Sequence, residues 1–319
     1  MRALVLGGTG WLGRAIVRDL LEDGVEVTCL ARGATGDVPD GARLVRTDRR
    51  ADGAYATVPG EWDEVVELSS DPELVRPALD ALADAASHWT LVSTTSVYAR
   101  NDEPGADETA EVVEPVDLTQ YADAKVAAER SSADRLGSRL LVARPGLIVG
   151  PGDPSDRFGY WPARLSRPGP VLVPTSEGRS VQVIDVADLA AWVGRAWRTG
   201  HTGVVNAVGE IVPMHEFFRL AVEATGFDGQ LVEVEDDVLL AHDVQYWAGP
   251  RSLPLWLPHS DAALMHRSAR AFRDAGGRSR PLAETLTGVL GDERARGVER
   301  PRRAGLGAAE EAAVLAAVR

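Results

Sequence analysis

Tyr121 and Lys125, in the run Tyr121-Ala122-Asp123-Ala124-Lys125, are side chains of the types that can move a proton together. On a helix this i, i+4 spacing puts both on one face. A free phenol titrates near pH ~10 and is a poor base near neutrality. A neighbouring ammonium stabilises the phenolate and draws it toward the working range. Chemistry at a carbonyl also needs a hydroxyl to hold the substrate oxygen. The run Ser93-Thr94-Thr95-Ser96, at the end of a strand expected over Trp89-Ser93, can supply it. A Tyr-x-x-x-Lys match alone is common on protein surfaces, so its meaning rests on what precedes it.

What precedes it is Gly7-Gly8-Thr9-Gly10-Trp11-Leu12-Gly13, between an apolar run, Ala3-Leu6, and a helical pattern. Glycines there serve a tight turn, close approach of a pyrophosphate to the backbone, and close packing of helix on strand. A diphosphate would lie on the amide-rich, positive end of the helix. The strand before the loop, and the helix and strand after it, supply the context a dinucleotide-binding motif requires. A site built for NAD would carry Asp or Glu where the second strand ends. This chain reads Val27-Thr28-Cys29-Leu30-Ala31-Arg32-Gly33, with no acid and with Arg32 beside the expected place. A guanidinium can fork onto a 2′-phosphate, and Arg14 adds a second positive charge next to the loop. NADP(H) is therefore favoured, with NAD(H) the alternative. The positive charge of an oxidised nicotinamide would further stabilise a phenolate at Tyr121.

The elements that must position these groups alternate. Strands are expected at Ala3-Leu6, Val25-Leu30, Arg43-Val45, Val65-Leu68, Trp89-Ser93 and Leu140-Ala143. Helices are expected where Leu12, Ala15, Ile16, Val17, Leu20 and Leu21 recur at three-and-four spacing, and again near 74–86 and 120–136. Strands alternating with helices imply crossover units and a parallel sheet covered on both faces. The fold class is α/β, a doubly wound parallel (Rossmann) sheet with a smaller C-terminal substrate-binding module. The dinucleotide domain spans 1–150 and regains 181–209, through a helix near Asp185-Arg198 and a strand at Val204-Val208. The module takes most of 151–319, namely 151–180 and 210–319. Residues 151–180 are rich in Pro and Gly with little periodicity, Asp292-Arg303 reads as a solvated surface, and Ala308-Val318 as a terminal helix.

With these motifs in view, the chain resembles the extended short-chain dehydrogenase/reductase family, also called the NAD-dependent epimerase/dehydratase family, most strongly over 1–150. Ser93-Thr94-Thr95-Ser96-Val97-Tyr98, Arg144-Pro145-Gly146-Leu147-Ile148-Val149-Gly150-Pro151 and Asp185-Val186-Ala187-Asp188-Leu189-Ala190 carry the resemblance beside the glycine loop and the Tyr-Lys pair. It implies that Thr94 orients the substrate oxygen, Tyr121 transfers the proton, and Lys125 binds ribose and lowers the tyrosine pKa. It implies cofactor contacts at Gly7, Gly10, Trp11, Leu12, Gly13, Arg14, Arg32, the adenine-contacting pair Asp48-Arg49, Ser69 and Pro145, besides Tyr121 and Lys125. It also implies a homodimer. Sugar dehydratases of the family place Asp-Glu directly after the catalytic Thr. Thr95 and Ser96 stand there instead, so the machinery for eliminating water is missing. Leu147 replaces the Asn of many nucleotide-sugar members, and Asp185 replaces the usual His. The loop and the Arg32-Gly33 strand end are more like the atypical, reductase-like branch.

Candidate substrate contacts are Ser96, Arg157 as an anion clamp, and Trp161. Arg157 could equally pair with Asp153 or Asp156, and the aromatics Tyr160, Trp161, Trp247 and Trp256 also fit core packing. The six histidines show no HxH or HExxH spacing, so no metal site is expected. Lys+Arg total 34 against Asp+Glu 48, a net charge of −14 that disfavours nucleic acid and anionic membranes as partners. One cysteine, Cys29, excludes an internal disulfide. There is no signal-peptide pattern and no apolar run of membrane-spanning length, so a cytoplasmic protein with a small-molecule substrate is expected. The main expectation is an NAD(P)-dependent oxidoreductase acting as a reductase. The alternatives are an epimerase of a sugar-like substrate, using the same three residues, and a non-catalytic dinucleotide-binding regulator.

Overall fold

The computed structural model describes residues 1–318 and divides them into two compact units. Unit 1 comprises Met1–Ile148, Val186–Gly209 and Arg267–Ser279; unit 2 comprises Val149–Asp185, Glu210–His266 and 280–318. Three segments fall otherwise than the sequence suggests, the first being 149–150, which open unit 2. Residues 181–185 belong with unit 2, because strand Ser180–Asp185 pairs antiparallel with Ile211–Pro213. Residues 267–279 join unit 1. There Phe272 packs edge-on against Trp192 at 5.2 Å, and the Gly276 carbonyl accepts from Arg195.

Unit 1 is built in chain order from β1 (Arg2–Leu6), α1 (Trp11–Glu22), β2 (Glu26–Ala31), β3 (Arg43–Arg46), β4 (Trp62–Glu67), α2 (Pro72–Leu82), β5 (Ala86–Val92), α3 (Tyr121–Leu136) and β6 (Leu140–Pro145). Helix Val186–Ala196, strand Gly203–Ala207 and the short helix Arg270–Asp274 also belong to it. The seven-stranded sheet runs Gly203–Ala207, β6, β5, β4, β1, β2, β3, with every adjacent pair parallel. This is the doubly wound Rossmann order, with a crevice at the carboxyl ends of β1 and β4 where the winding reverses.

The strands read as almost continuous apolar runs because helices cover both faces. Leu4 and Leu6 of β1, Val65 of β4 and Leu91 of β5 form one core with Val75, Leu79 and Leu82 of α2 and Ala128 and Leu136 of α3. Alternation along the strand sends Val5 to the opposite face. Helix Val186–Ala196 packs against α1, so closely that a Cβ at Gly194 would fall 2.1 Å from a carboxylate oxygen of Asp19. Cys29 is buried in β2, and burial pushes its thiol up to about 12, which leaves it chemically inert.

Unit 2 explains why 151–180 show no period. Helix Tyr160–Leu165 and strand Val171–Pro174 are buried at every position, so neither has a polar face to set a rhythm. Asp292-Arg303 is not a uniformly solvated surface. Glu293 is fully buried and accepts from Arg296, Arg300 and Arg302, while Arg300 also pairs with Asp156. Among the described residues no helix is long and apolar enough to cross a membrane.

Candidate active site

The loop after β1 turns at Gly7, whose φ of +101° lies in the region closed to other L-residues. Its carbonyl is hydrogen-bonded by Gly10 N–H at 3.0 Å, which folds the loop under the first turn of α1. Gly13 lies against this turn. A Cβ there would meet Gly7 O at 2.5 Å and Gly8 Cα at 2.9 Å, both backbone atoms that cannot step aside. Gly10 occupies the cap position of α1 without a side chain to close it, and the first turn has no acid. That leaves a positive helix end suited to phosphate.

Beside this turn is a cleft of about 290 Å³ lined by Gly7, Gly10, Arg32, Asp48, Arg49 and Ser69, among others. It lies over the carboxyl ends of β1, β2 and β4. Arg32 is exposed at its edge. Arg14 does not line the cleft. Its Nη1 donates to the carbonyls of Thr9 at 2.5 Å and Thr35 at 3.1 Å, tying the loop after β2 to the glycine turn. Arg49 reaches the cleft wall, but its guanidinium is committed. It is buried in a forked ion pair with Glu67 and also donates to Leu74 O and Tyr55 Oη. Arg49 therefore lines the cleft with its guanidinium held by Glu67. The same carboxylate accepts from Ser69 N–H at 2.8 Å, fixing the chain as it leaves β4.

The Lys125 ammonium is held at the end of β5. Lys125 is 4% exposed, and its ammonium donates to Val92 O at 2.7 Å and to Leu68 O and Ser69 O at 3.5 Å each. It thus sits over the carboxyl ends of β4 and β5. Burial lowers its pKa to about 8, against the opposing pull of the Glu67 and Glu129 carboxylates. The ammonium lies 5.9 Å from the centroid of the Tyr121 ring. Tyr121 opens α3 and is 56% exposed. Thr94 lies two residues past the end of β5 and is buried; its Oγ1 accepts from Ser96 N–H at 3.1 Å and donates to the Ser96 hydroxyl at 3.2 Å. Pro145 closes β6, paired with Ala207.

A buried network behind these groups was not read from the sequence. Ser93 Oγ donates to Glu129, Glu129 takes a forked pair from Arg144 at 3.0 and 2.6 Å, Arg144 donates to Tyr98 Oη, and Tyr98 donates to Asn206 at 2.6 Å. The network joins the end of β5, α3, β6 and strand Gly203–Ala207. Two signals pointed to it. Glu129 follows Lys125 by one helical turn, and Arg144 is a charge inside an otherwise apolar strand, which demands a buried partner.

In unit 2, Trp161 is a core residue. It is 1% exposed, donates its indole N–H to Pro254 O at 2.8 Å, and packs edge-on against Phe218. Arg157 lies 5.2 Å over the Trp247 ring and donates to Ser155 Oγ, while Asp156 is taken by Arg300. No group of three potential metal ligands occurs among the described residues.

The NAD dependent epimerase/dehydratase family model matches residues 3–209, and the chain belongs to this family. It is an NAD(P)-dependent oxidoreductase of the extended short-chain dehydrogenase/reductase type. It is 26% identical to the dTDP-6-deoxy-L-talose 4-dehydrogenase (NAD(P)(+)) of Kitasatospora kifunensis, over 82% of this chain and 96% of that one. It is 29% identical to the ceramide reductase of Caulobacter vibrioides, over 78% of this chain and 79% of that one. Its fold matches the UDP-glucose 4-epimerase of Thermus thermophilus in complex with NAD, with a TM-score of 0.66, 21% identity, and 92% and 99% of the two chains covered.

Proposed function

We propose that the protein is an NADP(H)-dependent reductase that converts a small-molecule carbonyl to a carbinol, with Tyr121, Lys125 and Thr94 as its catalytic residues. The observation that carries this reading is the buried Lys125 ammonium, held over the ends of β4 and β5 and 5.9 Å from the ring of an accessible tyrosine. The reductase names among its relatives favour the same direction. Gly7, Gly10, Gly13 and the first turn of α1 would hold the diphosphate, Asp48 and Ser69 would flank the adenosine half, and Arg32 would fork onto the 2′-phosphate. When bound, the dihydronicotinamide supplies hydride to the carbonyl carbon. Tyr121 gives its hydroxyl proton to the carbonyl oxygen, and Lys125 stabilises the phenolate left behind until solvent returns the proton. Thr94 turns its hydroxyl from Ser96 to the substrate oxygen and orients it.

Replacing Tyr121 with Phe tests the mechanism. Turnover should fall by about 10²–10⁴-fold, with NADPH affinity measured by fluorescence titration unchanged. Wild-type turnover in Y121F would reject the role. In the same titration R32A should weaken NADPH by about tenfold or more and leave NADH alone; equal losses for both would reject the assignment of Arg32. Stoichiometric consumption of NADPH marks a reductase, whereas an epimerase returns its hydride and shows no net oxidation.

A further inference from the structure

Unit 2 contains a cavity of about 570 Å³ lined by Tyr160, Arg164, Arg167, Arg251, Arg300 and Arg302, among other residues. Five guanidinium groups around one cavity are notable in a chain of net charge −14. Several are offset from behind: Arg164 by Glu311, Arg300 by Asp156 and Glu293, and Arg302 by Glu293. Arg251 donates mainly to His242 O, with Glu310 at 3.4 Å. Arg167 has no carboxylate within ion-pair distance among the described residues, and its buried Nε–H has no acceptor. The Nε–H groups of Arg300 and Arg302 are also without acceptors.

A second observation is independent of the charges. Tyr160 is 3% exposed, yet no acceptor for its hydroxyl proton lies within ordinary hydrogen-bond limits among the described residues. It stands among the charges of Arg164, Arg167 and Glu311, near the backbone of Leu306, and burial raises its pKa well above the usual phenol range. The phenol therefore stays a donor at any working pH. A buried donor without an acceptor is costly, and native structures leave few of them without a water, an ion or a ligand to complete the site. Arginine and neutral tyrosine offer donors, so the partner must be rich in acceptors and anionic. A phosphoryl group has three strong acceptor oxygens and close to two negative charges, against two oxygens and one charge for a carboxylate.

We propose that this cavity binds a small phosphoryl anion, free phosphate or a phosphate monoester, between Arg167 and Tyr160. The site is independent of the reductase assignment, since all its residues lie in unit 2. Calorimetric titration of the full chain with inorganic phosphate, glycerol phosphate and citrate tests it. Both phosphates should bind, citrate more weakly. R167Q should lose about tenfold or more in affinity and Y160F a few-fold, with circular dichroism unchanged. If R167Q fails to fold, R167K, which keeps the charge and loses the planar fork, should show the same loss. Tighter binding of glycerol phosphate than of phosphate identifies a monoester as the ligand, and the reverse identifies the free ion. Absence of binding, affinity indifferent to Arg167 and Tyr160, or citrate preferred over both phosphates would overturn the proposal. So would a loss of phosphate binding in R32A but not in R167Q, which would place the anion in the nucleotide cleft.

Discussion

Lys125 holds a positive charge where water scarcely reaches, and its three carbonyl partners do not fully replace hydration. Its pKa of about 8 in the folded chain compares with ~10.4 for a lysine in an unfolded one. Between these values the unfolded chain binds more protons, so stability rises with pH across that window. Below it, the buried charge is a constant cost. K125M should flatten this rise, measured as urea midpoints at pH values spanning the window. An equal rise in the variant would show that other groups carry it. The same residue illustrates what spacing can and cannot say. Its partnership with Tyr121 was legible, because i, i+4 neighbours share a helix face in any fold. That its ammonium reaches the ends of two strands was not, because Leu68 and Val92 come to it only once the sheet forms.

At the scale of elements, α3 does two jobs with adjacent turns. Its first turn presents Tyr121 and Lys125, and the next presents Glu129 to Ser93 and Arg144. The ion pair is therefore a positioning device that clamps the end of β5, and with it Thr94, to the helix that carries the phenol. E129Q should cost about 3–5 kcal/mol of stability, because it leaves the Arg144 charge buried without its counterion. Denaturant unfolding measures the loss, and a change within error would mean that water or Tyr98 compensates. Turnover should fall while NADPH affinity holds, a split that simple destabilisation would not produce. The glycine loop was legible because its requirement is local: Gly13 must lie against Gly7 and Gly8, its near neighbours in sequence. The network was not, because Tyr98 and Asn206 are 108 residues apart.

For the whole molecule, the lesson of unit 2 is that a run of charges need not be a wet surface. Glu293 gathers Arg296, Arg300 and Arg302 while fully buried, and a Cβ at Gly159 would fall 2.4 Å from its carboxylate. This cluster ties the segment after helix Leu282–Arg296 to Asp156 and the chain around Gly159. E293Q should lower stability by about 3–5 kcal/mol, read as the urea midpoint, since the arginines lose the charge that compensates them. Little change would return Asp292-Arg303 to the solvated role its composition suggests. Determined by sequence alone were the α/β class, the dinucleotide turn and the pairing of tyrosine with lysine, since each depends on neighbours within a few residues or on strand and helix periodicity. Tertiary structure alone decided that Trp161 is core, that Arg14 and Arg49 brace the glycine turn and the cleft beside it, and that Glu129 and Glu293 are buried. Each of those outcomes depends on which distant side chain supplies the compensating charge or carbonyl, and local pattern carries no record of that partner.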